Sequence, residues 1–197
     1  MAEGLLRNLS KGAGVDAQIR SAGLLPGGAP PTPEAIAVMA DQATDIAGHV
    51  SRALDAEAAR SASLVIGMTR QHVREAVVTY GSDIERTFTL KELVRRGEEV
   101  GPRHPDETLV AWLARVGSGR RTVDLMGDDE GDDIADPVGR PRSVYEATAR
   151  ELETLLRQLV VLLVGGPRRP AAPTAPSRPV RERGGAVAAE ASGRVGS

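Results

Sequence analysis

Five consecutive apolar residues, Leu64-Val-Ile-Gly-Met68, run directly into Thr69 and a helical pattern through Val73, Ala76 and Val77. A short apolar run ending at a helix-capping hydroxyl predicts a buried strand of the parallel kind. Such a strand needs neighbours along its edges and helices over its faces, which restricts the chain to an α/β architecture. Arg86-Thr-Phe-Thr-Leu90 alternates and is rich in β-formers, so it is the predicted last strand; Ala17 to Gly23 is a shorter candidate ending on glycine. Between them Thr32 precedes Pro33, a cap followed by a proline suited to the first helical position, with Ala35, Ile36, Val38 and Met39 as the buried face. Asp55 to Ser61 forms a further helical stretch.

The chain opens as helix, with Leu5, Leu6 and Leu9 on one face and no capping side chain ahead of them. Residues 91–116 read as helix or loop, and 117–142 as a polar connection rich in Gly and Asp. Ser143 and Glu146 have the spacing of a capping box, with a long helix behind them to about Val164. Beyond Gly165, Pro, Arg, Ala and Gly dominate without periodicity. The expected organisation is therefore one α/β domain over 1–165 and a disordered tail over 166–197.

Hydrophobic residues at 41% and charged residues at 26% are globular values, so a core is expected. Trp112, Tyr80, Tyr145 and Phe88 are the only aromatics, which leaves Ala, Val, Leu and Ile to build that core. Net charge is −2, which gives no reason to expect nucleic acid as a partner, although the tail carries six Arg against two Glu. No cysteine is present, which removes disulfides, thiolate metal sites and thiol nucleophiles from these residues. No apolar run approaches the ~18 residues of a membrane span and no signal-peptide pattern opens the chain, so a cytoplasmic location is expected.

The motif with most chemical content is Asp136-Pro137-Val138-Gly139. Proline and glycine make it a rigid turn, which is a surface connection unless the aspartic acid serves as a proton donor over a pocket. Asp128, Asp129, Glu130, Asp132 and Asp133 read as a solvated acidic loop, since Gly139 stands where a calcium loop would need its closing Glu. His49, His72 and His104 fall in no ligand spacing, so no metal is expected, and no phosphate-loop or dinucleotide fingerprint implies a cofactor. Arg70 follows the apolar strand, where side chains either line a strand-end crevice or lie on a helix surface.

Taken in order, these segments resemble the low-molecular-weight protein tyrosine phosphatase family. That family opens with a strand, a phosphate loop C-x-x-x-x-x-R-S-P, and a helix commonly beginning M-A-E-x-L-L, which Met1-Ala-Glu-Gly-Leu-Leu6 matches. Ser21-Ala-Gly23 is similar to the end of its second strand, Thr32-Pro33 to its next helix start, and Leu64 to Arg70 to its third strand and cap. Asp136-Pro137-Val138-Gly139 stands just ahead of the last helix, as the family's D-P-x-G does. The resemblance implies a three-layer α/β/α fold with a parallel sheet in the order 2-1-3-4, the first strand and phosphate loop missing here. It implies hydrolysis of phosphate monoesters on phosphotyrosine proteins or small aryl phosphates, with Asp136 as general acid and base, Val138 against the substrate, and no cofactor.

The same resemblance places the nucleophilic Cys and loop Arg upstream of Met1, so the 197 residues are expected to be catalytically incompetent and poorly folded or aggregation-prone. Four or five buried apolar side chains in a central strand are worth roughly 6–15 kcal/mol, comparable to the whole stability of a domain. Val138 supplies an apolar contact where tyrosine-specific members often place a ring. A non-catalytic partner-binding relative and an arsenate reductase-like relative are the alternative readings.

Overall fold

The computed structural model describes residues 1–123 and 130–165. The expected tail and residues Asp128 and Asp129 of the acidic loop lie outside them. Helices α1 (Ala2–Gly12), α2 (Pro33–Asp41) and α3 (Ala56–Ser61) lead to strand β1 (Val65–Gly67). Helix α4 (Arg70–Val78), strand β2 (Thr87–Thr89), α5 (Leu90–Val100), α6 (Leu109–Val116) and α7 (Arg142–Val164) follow. β1 and β2 pair in parallel, Val65 opposite Thr87 and Gly67 opposite Thr89, with α4 as the crossover packed on both. The arrangement is α/β/α, a small two-stranded parallel sheet flanked by helices.

Local chemistry explains most helix starts. The hydroxyls of Thr32, Thr69, Thr89 and Thr108 and the carboxylate of Asp55 each accept a backbone N–H from the first turn of the helix they precede. α1 begins on Met1 with no side-chain cap, as its sequence predicted. α7 does not begin on a capping box. Its N-cap is Pro141, Ser143 lies inside the first turn, and Glu146 instead accepts from Arg142 Nε at 2.9 Å. Arg142 also reaches Asp41 at 2.6 Å, tying the start of α7 to the end of α2.

Three strand expectations change. Ala17 to Gly23 is not a strand, because Ile19 is its one partly buried apolar residue and only Gly23 pairs, in an isolated bridge to Ala53. The Ile19 carbonyl is taken by the Arg7 guanidinium at 2.7 Å, which satisfies it without a ladder. The run from Leu64 to Met68 narrows to three residues and is half-buried except at Gly67, since β1 has one paired edge among the described residues. The last strand stops at Thr89, whose hydroxyl accepts from the Glu92 N–H and turns Leu90 into the first residue of α5.

The core lies chiefly between helices. α7 packs against α1, α2 and α5, bringing Leu152, Leu156 and Leu159 against Leu5, Met39 and Leu93 in one cluster. Aliphatic residues supply most of it, but Trp112, Tyr145 and Phe88 are its largest fully buried members. The Trp112 indole N–H donates to the Gly101 carbonyl at 3.0 Å, and the Tyr145 hydroxyl meets the Thr32 hydroxyl at 3.1 Å, so both polar ends are satisfied.

Candidate functional site

The connection into α7 is sewn to the end of the sheet. Ile134, buried, donates its N–H to the Met68 carbonyl at 2.8 Å, just past β1. Asp133 Oδ1 accepts the Arg70 backbone N–H at 2.8 Å, which adds a second cap to α4 beside Thr69, and the Asp133 carbonyl accepts from Lys91 Nζ at 2.6 Å. Asp132 is buried and its carboxylate lies between Arg70 and Arg95, at 3.4 and 3.3 Å. These two acids are therefore structural fasteners, not members of a solvated charge run. Arg70 correspondingly lies at a strand end rather than on an open helix surface. The signal lay in their neighbour, since an apolar Ile134 beside two acids marks a loop that returns to the core.

Beyond that anchor the chain turns out to solvent. Asp136 is exposed and its Oδ1 accepts the Val138 N–H at 3.0 Å, while Pro137 is buried beneath the turn. Val138 is 65% exposed, which leaves its side chain available to a ligand's apolar surface. Gly139 takes φ +73°, a left-handed conformation that suits glycine, and the Arg140 N–H closes the turn on the Pro137 carbonyl at 2.9 Å. The structure thus brings Asp136 and Val138 together in one rigid turn.

A second group of polar residues surrounds the start of α1. A cleft of about 440 Å³ is bordered by Met1, Glu3, Arg7, Ser21, His49 and Arg52, among others. Glu3 accepts a hydrogen bond from the Ser21 hydroxyl, pairs with Arg7 at 2.6 Å, and lies 3.8 Å from His49 Nδ1. Burial would raise the Glu3 carboxyl, but the Ser21 hydroxyl, Arg7 and His49 together hold it below its ordinary value. Burial also lowers the Met1 ammonium, with Glu3 opposing it. None of these residues was singled out for chemistry by its sequence. The segments bearing Ser21 and His49 are remote from α1 along the chain, and no spacing links them. His49 thus sits in a polar cleft, whereas His104 is exposed and its N–H is held by Glu107. Among the described residues no group of three acids or histidines could hold a metal, and no helix is long and apolar enough to cross a membrane.

The family profile of low molecular weight phosphotyrosine protein phosphatase matches residues 1–107, more than half of the chain. This chain belongs to that family. A curated relative, the protein-arginine-phosphatase of Bacillus subtilis, is 31% identical over 161 residues, covering 81% of this chain and 84% of that protein. The crystal structure of the low molecular weight protein tyrosine phosphatase from T. tengcongensis superposes with a TM-score of 0.59 at 30% identity, over 81% of this chain and 86% of that one. The YwlE arginine phosphatase from Geobacillus stearothermophilus gives 0.56 at 30% identity, over 81% and 80%. The family is a hydrolase family, yet these 197 residues contain no cysteine to serve as a nucleophile.

Proposed function

We propose that this member of the low molecular weight phosphatase family presents Asp136 as the general acid for a phosphate ester, with Val138 beside the leaving group, and that the 197 residues do not turn substrate over unaided. The reading is carried by the rigid Asp136-Pro137-Val138-Gly139 turn, rooted through Ile134 on the end of β1, in a chain without a thiol. A positioned acid contributes about 10²–10⁴-fold, far short of the accelerations that phosphate monoester hydrolysis requires. Asp136 therefore cannot carry the reaction without a nucleophile and a cradle of donors for the transferring oxygens.

Two assays test this. With an aryl phosphate, the 197-residue chain and its Asp136→Asn variant should both stay at background, and turnover that disappears in the variant would overturn the claim of incompetence. Fusing a strand and a C-x-x-x-x-x-R-S-P loop ahead of Met1 supplies a thiolate. In that fusion Asp136→Asn should lower kcat by about 10²–10⁴-fold, and an unchanged kcat removes Asp136 from the chemistry.

The choice between phosphotyrosine and phosphoarginine has observations on both sides. The matching profile names phosphotyrosine phosphatases, whereas the curated relative is an arginine phosphatase. Val138, without a ring to stack on a phenol, favours the second. The fusion should therefore hydrolyse a phosphoarginine peptide with higher kcat/KM than the matching phosphotyrosine peptide, and the reverse order restores the aryl substrate.

A further inference from the structure

We propose that the arginine-lined cleft at the carboxyl ends of β1 and β2 binds a phosphate group, at a place separate from both the Asp136 turn and the α1 cleft. The cleft encloses about 180 Å³, and its wall includes Arg70, Thr89, Glu92, Arg95, Arg96 and Arg120. Neither Asp136 nor any residue bordering the α1 cleft contributes to it. Its position follows a general rule of open α/β sheets, in which ligands settle in the crevice beyond the strands' carboxyl ends. Arg70 opens α4 directly behind β1, and Thr89 closes β2 and caps α5, so two helix starts of the same polarity face this end of the sheet.

The guanidiniums divide into two kinds. Arg120 is fixed: it pairs with both Glu92 oxygens at 2.8 and 3.1 Å, donates to the Ile84 and Thr87 carbonyls, and stacks 4.0 Å over Phe88. Arg96 is held on the Val116 and Ser118 carbonyls and lies 3.2 Å from Glu92. These two form a preorganised cationic floor in which one carboxylate serves two guanidiniums. Arg95 differs, being 54% exposed and 3.3 Å from both Asp132 oxygens, longer than the 2.7–2.9 Å of a well-formed charge-assisted pair. Asp132 also pairs with Arg70 at 3.4 Å, so Arg95 does not have that carboxylate to itself. A tetrahedral dianion can accept from Arg95 in the planar, forked geometry that guanidinium offers, above a floor already positive.

The test is calorimetric titration of the full 197-residue chain with inorganic phosphate, and with a short phosphoserine peptide, at ionic strength matched with chloride. Saturable binding is expected, weakened on the order of tenfold by Arg95→Gln. It should be unchanged by Arg157→Gln, an exposed arginine on α7. Tighter binding of the phosphopeptide assigns a side-chain phosphate as ligand, and equal affinity assigns the free ion; either supports the site. Absence of saturable binding, equal weakening by Arg157→Gln, or binding lost on Arg7→Gln but untouched by Arg95→Gln overturns it. The last outcome would move the anion to the α1 cleft. Since the titration does not involve hydrolysis or Asp136, its failure leaves the proposed chemistry standing, and the converse holds.

Discussion

Asp132 and Asp133 are adjacent in sequence and serve different parts of the fold. Asp132 neutralises guanidiniums from α4 and α5, whereas Asp133 caps α4 through the Arg70 N–H. Asp133→Ala should therefore cost about 1 kcal/mol, the usual value of a lost cap, read as a lower urea midpoint. Glu3 carries a pH signature instead. Its folded carboxyl lies below its ordinary value, so folding favours the ionised form. That contribution is complete above the unfolded carboxylate range, about pH 4.5, and is lost as pH falls through the lower folded value. Wild type should exceed Glu3→Gln in urea midpoint near pH 6, with the gap closing below about pH 4. A constant gap across that range would show that the Glu3 charge plays no part.

Among the secondary-structure elements, the contact of α5 with α7 sets the packing of the helical layer. A Cβ on Gly97 would lie 2.8 Å from Leu162 and 3.2 Å from Trp112, so the two helices approach at a glycine. Gly97→Ala gains helix propensity but overpacks this junction, and the net expectation is a loss of about 1–3 kcal/mol. Thermal unfolding checks it, and a raised Tm would mean that Leu162 moves aside freely. The far end of α7 is held by Arg103, which donates its backbone N–H to the Leu162 carbonyl and its Nε to the Leu163 carbonyl, each at 2.8 Å. Terminal carbonyls otherwise left to solvent are thus satisfied by a loop that follows α5.

Taken together, the described residues join an extensive helical core to a narrow sheet. A two-stranded sheet is marginal without cover, and here α4 and the core around Phe88 and Leu90 provide it. β1 pairs with β2 along one edge, and among the described residues no strand covers the other. An open strand edge is a template for association. Sedimentation of the purified chain should accordingly show self-association that grows with protein concentration. A concentration-independent monomer would contradict this.

Signals that act over a few residues were readable without coordinates. Thr32-Pro33, Thr69 and the Asp136-Pro137-Val138-Gly139 turn are legible because a cap or a turn is decided by its own side chains and φ preferences. The order of those segments also carried the family. Burial and pairing were not legible in the same way. Ala17 to Gly23 had a strand's composition but no ladder to join, Ser143 had a cap's identity inside a helix that began earlier, and Asp132 had a surface residue's charge in a buried place. Strand pairing, helix starts shared between elements, and charge pairing across 37 or 62 positions depend on which distant segments meet. Those meetings are set by the packing of the complete fold, which local side-chain preference does not specify.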